Sequence, residues 1–278
     1  MKKLAFLLAL LFVVPSAVQA QKKKKRKKQI VLIETSFGDI KLKLFDETPK
    51  HKENFLKLVE EGSYDLTLFH RVISDFMIQG GDPDSKKAAA GVALGNGELG
   101  YTIPAEFVDS LFHKKGALAA ARLSDDVNPK QESSSCQFYI VHGRKFSKTD
   151  LQMMEKQMNN RIKNGLYQSF FDNIENVSYR KRFLEFQKSK DQQAYGDLMK
   201  EIEPLIESDF IEKKFAFSEA QIEAYSSVGG APHLDGAYTV FGEVIEGLEV
   251  IDKIAAQETD PANRPKKDVR IQMKLVKR

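Results

Sequence analysis

The fold of this chain is decided by one stretch, Phe69-His70-Arg71-Val72-Ile73-Ser74-Asp75-Phe76-Met77-Ile78-Gln79-Gly80-Gly81-Asp82. The stretch contains two apolar runs of strand length, which Ser74 and Asp75 separate and which Gly80 and Gly81 end. Short apolar runs bounded by turn-forming residues are typical of β-strands. We therefore predict two strands here, over residues 66–72 and 76–79.

The regions on either side of this stretch continue the β pattern. Residues 40–44 alternate apolar with charged side chains, as expected for a strand with one face in water. Pro49 begins a predicted helix that ends at Gly62, because proline fits the first helical turn and glycine suits the turn after the last one. A second helix is predicted over residues 248–256. The remaining predicted strands are residues 30–33, 117–121, 137–141, 238–244 and 269–276.

The pattern changes from strand to helix over residues 146–228, which contain one proline and two glycines. The apolar residues that recur there at helical steps of three and four are Leu151, Met154, Met158 and Ile162. Strand-like sequence lies on both sides, in residues 29–145 and 229–278. We therefore predict one mainly β domain, whose strands close on themselves, interrupted by an α-helical insertion at residues 146–228.

Residues 1–20 have the composition of a secretory signal peptide. Lys2 and Lys3 precede an apolar run of eleven residues, and small residues follow up to Ala20. Eleven residues of helix span about 16 Å, which is too short for a bilayer. We expect export to the periplasm. An uncleaved N-terminal membrane anchor is the alternative, because basic residues directly after an apolar segment resist translocation.

A basic run from Lys22 to Lys28 dominates the net charge of the chain. Residues 1–28 hold nine of the 43 lysines and arginines and none of the 39 acidic residues, so the remainder carries a net charge of −5. We expect residues 21–28 to form a disordered basic tail, and weak contact with an anionic surface is its more specific interpretation. The acidic body gives no indication of a nucleic-acid-binding face.

Cys136 is the only cysteine, so the chain cannot form an intramolecular disulfide. It lies in an apolar, strand-like sequence, which predicts a small buried side chain rather than a reactive thiol. The five histidines show no spacing typical of a metal site. The sequence therefore indicates neither a disulfide framework nor a metal centre.

The first stretch resembles the signature segment of the cyclophilin family of peptidyl-prolyl cis–trans isomerases. Three further segments resemble that family in the same order along the chain. They are Tyr101-Thr102-Ile103-Pro104-Ala105-Glu106-Phe107, Ser135-Cys136-Gln137-Phe138-Tyr139-Ile140, and Leu234-Asp235-Gly236 followed by Val240-Phe241-Gly242-Glu243-Val244. The resemblance extends over both β blocks, whereas residues 146–228 lie outside the family pattern.

The resemblance implies a closed eight-stranded antiparallel β-barrel capped by two α-helices, which would begin near Pro49 and Gly247. It places the active face in an outer groove rather than inside the barrel. The substrates would be proline-containing polypeptides, and the reaction would use no cofactor and no metal. We expect a monomer that binds no nucleic acid.

The resemblance also implies roles for ten residues. Arg71 matches the family's catalytic arginine, whose donors would stabilise the nitrogen lone pair that a twisted X-Pro amide regains. Gln79 would hold the bound peptide beside it, and the backbone of Ala121 and Arg122 would contact that peptide. The residues expected around the proline ring are Phe76, Met77, Tyr139, His233, Leu234 and Tyr238.

The chain departs from the family pattern at a few of these positions. Ser74-Asp75 stands where many members have Pro-Gly, which alters a turn. Arg122 replaces a frequent asparagine, so local charge rises while a backbone contact would survive. Tyr238 stands where many members have histidine, and His233 where several have tryptophan. Loss of the indole weakens any expectation of cyclosporin sensitivity.

Two functional alternatives remain open. The groove could serve a peptide-binding chaperone, or the barrel could be a scaffold whose tail and insertion bind partners. The insertion returns to the barrel just before His233 and Leu234, so we expect a small helical subdomain near the groove that shapes access to it. A peripheral spacer is the alternative interpretation of the insertion.

Overall fold

The structure is a computed structural model that describes residues 29–277. The strands within these residues are β1 (Gln29–Thr35), β2 (Gly38–Leu44), β3 (Phe69–Ile73), β4 (Met77–Gly80), β5 (Thr102–Ile103), β6 (Ala117–Ala120), β7 (Ser133–Ser134), β8 (Phe138–Val141), β9 (Val240–Glu246) and β10 (Gln272–Lys277). The α-helices are α1 (Pro49–Glu60), α2 (Lys148–Asp172), α3 (Val177–Ser189), α4 (Gln192–Lys213), α5 (Glu219–Ser227) and α6 (Leu248–Ala255). The predicted elements are all present, to within a few residues at their ends. The strands β5 and β7 were not predicted, because two residues are too few to show a period.

Eight of these strands form one antiparallel sheet in the order β10-β1-β2-β9-β6-β8-β4-β3, and β5 pairs with β7. The prediction of a closed barrel is wrong, because β10 and β3 end this order and do not pair with each other within residues 29–277. Residues 66–69, up to the first residue of β3, and residues 269–271, just before β10, are joined by three backbone hydrogen bonds, from Leu66 N to Ile271 O, Ile271 N to Thr67 O and Phe69 N to Val269 O. Leu66 has a φ of +66°, a left-handed conformation that breaks the extended backbone there. The sheet is therefore an open, curled half-barrel.

The two strands predicted in the first stretch are β3 and β4, and they form a hairpin in which Ile73 pairs with Met77. Asp75 in the turn has a φ of +61°. Glycine suits this left-handed conformation best, and aspartate is one of the few other residues that tolerate it. The backbone N–H of Asp75 donates to Nδ1 of His142 at 2.9 Å. The Ser74-Asp75 turn therefore keeps the hairpin tight without glycine.

The middle strands of the sheet bury side chains on both faces. Along β8, Phe138 and Ile140 belong to one apolar cluster, and Tyr139 and Val141 to another. Successive side chains of a strand point to opposite faces, so an all-buried strand lies between two apolar layers. The first cluster is the main core, which α1 and α6 cover as predicted. The buried side chains that these two helices contribute to it are Phe55, Leu56, Leu58, Val59, Val250, Ile251, Ile254 and Ala255.

The main core also contains the single cysteine. Cys136 is 5% exposed, and burial raises the pKa of its thiol to about 11. A thiol with a raised pKa is a poor nucleophile at neutral pH. The prediction of a small buried side chain is confirmed.

The segment between β8 and β9 contains α2 to α5, and it has two separate apolar clusters. The outer cluster is formed by α2, α3 and α4 alone and contains Leu166, Phe171, Leu198, Ile202 and Ile206. The inner cluster, which we call the neck, contains Phe146, Leu151, Phe217 and Tyr225, with Phe112 of the barrel packed against them. The predicted stripe on α2 is divided between the two, because Leu151 and Met154 lie in the neck and Ile162 in the outer cluster.

The predicted signal peptide and basic tail fall on residues 1–28, outside the described residues. Within residues 29–277, no helix combines the length and the apolar character that crossing a bilayer requires. The expectations of export and of an N-terminal anchor therefore stay predictions.

The division into two clusters predicts how the chain tolerates truncation. Replacing residues 164–213 by a short Gly/Ser linker removes only the outer cluster, and loop closure entropy grows slowly with length, so the barrel should unfold at a nearly unchanged temperature. Replacing residues 147–228 also removes Tyr225 from the neck, which should cost about 3 kcal/mol or more, as for other buried aromatic residues. Thermal unfolding followed by circular dichroism compares the two deletions. Equal stability of both would show that the neck does not support the barrel.

Candidate active site

Three of the predicted site residues lie in one row across neighbouring strands. Arg71 of β3 pairs with Gln79 of β4, and Gln79 pairs with Tyr139 of β8. The same row ends at Ala119 of β6, which is the partner of Tyr139 on its other side. Residues directly opposite one another point to the same face of a sheet. This face is the one that carries the second apolar cluster, on the outside of the half-barrel.

A chain of hydrogen bonds holds the polar end of this row. Nη1 of Arg71 donates to Oε1 of Gln79 at 3.2 Å, and Nε2 of Gln79 donates to Oε1 of Gln137 at 3.1 Å. Nε2 of Gln137 in turn donates to the carbonyls of Gly95 and Gly97, both at 2.9 Å. Among residues 29–277, Arg71 makes this one side-chain hydrogen bond, so its other N–H donors are available to a ligand.

The row forms the floor of a cavity of about 300 Å³ that opens to solvent. The residues that line it are His70, Arg71, Phe76, Met77, Gln79, Leu94, Gly95, Ala121, Arg122, Tyr139, Leu234 and Tyr238. The structure thus brings nine of the ten predicted site residues together. The tenth, His233, lies beside the cavity with its ring 5.3 Å from that of Phe76.

The apolar wall of the cavity is built from the sheet and from one loop. Met77 and Tyr139 are fixed in the sheet and are 2% and 4% exposed. Leu234 ends a short 3₁₀ turn, Pro232–Leu234, and Tyr238 lies in the loop that follows it. The rings of Tyr139 and Tyr238 meet edge to face, with centroids 6.0 Å apart. An apolar side of this size and shape suits a small ring such as that of proline.

Arg122 has a role that was not predicted for its side chain. Its guanidinium lies 4.5 Å from the centroid of the Tyr238 ring, in a cation–π contact. Nε donates to the carbonyl of Ala237 at 2.7 Å, and Nη1 contacts Asp125 at 2.6 Å. The carboxylate of Asp125 offsets the added charge, and the guanidinium holds Tyr238 in place. The predicted backbone contact with a peptide stays a prediction.

His70, Leu94, Gly95 and Gln137 are site residues that sequence reasoning missed. The sequence feature that could have identified His70 as a site residue is its position directly before Arg71 in the first stretch. The side chain is 3% exposed, and neither ring nitrogen makes a hydrogen bond of ordinary geometry within residues 29–277. Burial lowers the pKa of His70 to about 4, so the ring is neutral at physiological pH. Leu94 and Gly95 lie in a glycine-rich loop, where no period reveals which residue faces inward.

Comparison with known proteins places these residues in a family context. A family model described as "Cyclophilin type peptidyl-prolyl cis-trans isomerase/CLD" matches residues 30–163 and 214–275. The unmatched part, residues 164–213, contains the end of α2 and the whole of α3 and α4, whereas α5 lies within the matched part. The family resemblance therefore extends over the half-barrel and also over residues 146–163 and 214–228, so the prediction that the whole of residues 146–228 lies outside the family pattern is wrong.

Individual relatives agree with the family model. A protein of Staphylococcus aureus (strain USA300) named as a peptidyl-prolyl cis-trans isomerase is 29% identical over 255 residues, which are 91% of this chain and 94% of that protein. A protein of Streptococcus pyogenes serotype M6 named as a bifunctional phosphatase/peptidyl-prolyl cis-trans isomerase is 30% identical over 246 residues. These are 87% of this chain but 37% of that protein, so the chain spans about a third of its length.

Solved structures agree on the fold. The crystal structure of a cyclophilin type peptidyl-prolyl cis-trans isomerase from Cryptosporidium parvum superposes with a TM-score of 0.50 at 20% sequence identity. The match covers 90% of this chain and 98% of that one. At this identity the likeness concerns the fold alone.

Burial of His70 predicts a dependence of stability on pH. The folded protein binds a proton at His70 only near pH 4, whereas the unfolded chain binds it near the ordinary value of 6.5. Acidification through this window therefore favours the unfolded state, and between pH 7.5 and 5 the loss is about 2 kcal/mol. Urea unfolding at pH 7.5 and at pH 5 measures the free energy of unfolding. The fall in this free energy between the two pH values should be about 2 kcal/mol smaller in His70→Gln than in the parent protein. His51 and His142, whose pKa values burial also lowers, contribute in both proteins. Equal pH slopes for the two proteins would contradict the buried neutral state of His70.

Proposed function

Because the chain belongs to the cyclophilin-type peptidyl-prolyl cis–trans isomerase family, we propose that it catalyses X-Pro isomerisation through a twisted amide stabilised by Arg71. The activity itself follows from the family. The mechanism rests on one observation, a fixed guanidinium at the edge of an apolar cavity. The substrates are proline-containing polypeptides, with the proline ring against Phe76, Met77, Tyr139 and Leu234.

The reaction is a rotation about one bond, the X-Pro amide bond, and no covalent bond is made or broken. Amide resonance opposes this rotation with a barrier of about 18–20 kcal/mol. The two isomers of an X-Pro bond differ in free energy by only about 0.5–1 kcal/mol, so the barrier and not the equilibrium limits the exchange. A thousandfold acceleration needs about 4 kcal/mol of preferential binding to the twisted state. Electrostatic and apolar contacts of the protein can supply this without a nucleophile or a proton carrier.

The guanidinium of Arg71 distinguishes the twisted amide from the planar one. In the planar amide the nitrogen lone pair is delocalised and accepts no hydrogen bond, whereas rotation localises it and makes it an acceptor. A donor that is already oriented stabilises this developing acceptor without reorganising at the moment of reaction. The hydrogen bond to Gln79 orients Arg71 in this way and leaves its other donors for the substrate.

The apolar wall contributes by excluding water. The planar amide is the more charge-separated form, so water stabilises the ground state more than the twisted state. Tyr139 and Met77 are almost completely buried and present no charge to the cavity. His70 is neutral because burial lowers its pKa to about 4, so it adds no competing cation beside Arg71 near neutral pH.

Substitution of Arg71 tests the mechanism. Arg71→Ala should reduce kcat/KM for a short Xaa-Pro peptide about 100-fold, or roughly 2.7 kcal/mol of barrier. Arg71→Lys should be intermediate, because the ammonium keeps the charge but not the planar set of donors. Exchange NMR spectroscopy measures the catalysed rate, and titration of the same peptide measures binding.

Arg161→Ala is the matched control, since Arg161 is an exposed residue of α2 and should leave the rate unchanged. Catalysis by Arg71→Ala within threefold of the parent protein would disprove the assigned role. Retained peptide binding with lost exchange separates this catalytic role from that of a groove that only binds.

We further propose that the clients are polypeptides exported with this protein. The support is the sequence of residues 1–20, with its basic start, apolar run and small residues up to Ala20. Cleavage there should give a mature protein that begins at Gln21. Mass spectrometry of the protein from the host membrane and periplasmic fractions measures this N-terminus. An intact Met1 or a start at Lys2 would contradict removal of the segment, and its recovery in the membrane fraction would favour the anchor.

A further inference from the structure

A buried carboxylate joins the neck of the helical segment to the cavity wall. Asp235 directly follows Leu234, and its side chain is 7% exposed. Oδ1 accepts the backbone N–H of His113 at 2.9 Å and lies 2.8 Å from Nδ1 of the same residue. Oδ2 accepts from the hydroxyl of Tyr225 at 2.5 Å and from Nε2 of Gln221 at 3.1 Å. Both oxygens of this carboxylate are therefore engaged, by donors from the barrel and from α5.

His113 extends this connection to Tyr139 of the cavity. A carboxylate only accepts hydrogen bonds, so Nδ1 of His113 carries the proton that faces Asp235. Nε2 of the same ring lies 3.0 Å from the hydroxyl of Tyr139, so these two groups are hydrogen-bonded. The two rings are nearly parallel, with an angle of 14° between their planes. This hydrogen bond and the parallel His113 ring hold the Tyr139 ring in a fixed orientation.

The other end of the connection is anchored in the neck. Tyr225 is fully buried, and its ring contacts Phe112, Phe146 and Phe217 edge to face. The chain returns to the barrel through Gly230, where a side chain would lie 2.3 Å from the carbonyl of His113 and 2.5 Å from the Tyr225 ring. The backbone directly after α5 is thus in close contact with the backbone of the barrel and with the Tyr225 ring. This part of the helical segment cannot shift without moving His113.

We propose that Tyr225 and Asp235 are positioning residues for the proline pocket. They act through His113 on Tyr139, and Asp235 also fixes the loop that carries Leu234. The last helix of the helical segment is then part of the apparatus that shapes the pocket, rather than a spacer. This proposal rests on the proposed function of the groove and adds to it the residues that hold its wall.

Removal of one hydroxyl tests the proposal. Tyr225→Phe keeps the aromatic contacts of the neck but removes the donor to Asp235. We expect kcat/KM for the tetrapeptide Ala-Ala-Pro-Phe to fall about threefold to tenfold, which corresponds to the net contribution of one ordinary hydrogen bond. Tyr179→Phe is the matched control, because Tyr179 packs in the outer cluster and should leave kcat/KM unchanged. A loss of thermal stability without a fall in kcat/KM would overturn the proposal.

A double-mutant cycle separates positioning from a general structural effect. Tyr139→Phe removes the hydroxyl that ends the chain of hydrogen bonds, so a second change, Tyr225→Phe, should then lower kcat/KM by less than twofold. Its effect on the unfolding temperature should be the same in both backgrounds. An equal fall in kcat/KM in the two backgrounds would show that Tyr225 does not act through Tyr139.

Two further measurements keep the proposal testable if Tyr225→Phe does not fold or the parent protein shows no catalysis. Gln221→Glu keeps the hydrogen bonds with Ser218 that cap α5, because glutamate also serves at this capping position, but it sets a second carboxylate against Asp235. It should lower kcat/KM threefold or more, and an unchanged value would overturn the proposal.

Labelling with 3-fluorotyrosine reports on the pocket without activity. The ¹⁹F signal of Tyr139 is identified by its loss in Tyr139→Phe. It should shift in Tyr225→Phe and stay in place in Tyr179→Phe. If the parent protein fails to catalyse exchange but the signal shifts, the proposed function is wrong and the positioning chain stands. A signal that stays in place in both variants would remove the positioning chain.

Discussion

The alternation of side chains along three buried strands is the constraint on which the rest of this structure depends. In β4, β6 and β8 successive residues point to opposite faces, and both faces are apolar. One face is covered by α1 and α6 and forms the main core. The other face would expose apolar surface to water, which is unfavourable. Part of it is instead covered by the loop of residues 231–238, and the cavity lies there. The main core and the groove are thus the two faces of the same sheet.

This origin explains how a charged side chain is held at an apolar site. Arg71 lies on an edge strand, where the cavity opens to solvent, and its cross-strand partner Gln79 takes one of its donors. Further hydrogen bonds join Gln79 to Gln137 and Gln137 to the glycine-rich loop. The amide side chain that orients the guanidinium is therefore itself fixed. An arginine held in this way loses little further freedom when a substrate binds, which makes it effective toward a developing acceptor.

The helical segment divides into parts with different relations to the site. Within residues 29–277, the outer cluster is built from apolar residues of α2, α3 and α4. The neck shares aromatic contacts with the barrel and supplies hydrogen bonds to Asp235. The outer part of the helical segment therefore has its own apolar core, whereas the neck is a structural element of the barrel domain. The boundary between the two follows the division of apolar residues along α2, where Leu151 faces the neck and Ile162 the outer cluster.

The sequence by itself determined which residues form strands and helices, because periods of two and of three to four residues are local properties of the chain. It also indicated most of the cavity, since Arg71, Gln79 and Tyr139 occur at the spacing of a known family. Only the tertiary structure decided that the sheet is open, because closure depends on how edges far apart in sequence meet, and the left-handed Leu66 limits that meeting. It alone decided that Arg122 holds Tyr238 and that Tyr225, Asp235 and His113 form one connection. The contacts of Arg122 with Tyr238 and of His113 with Asp235 join residues more than a hundred positions apart, and no local pattern specifies them.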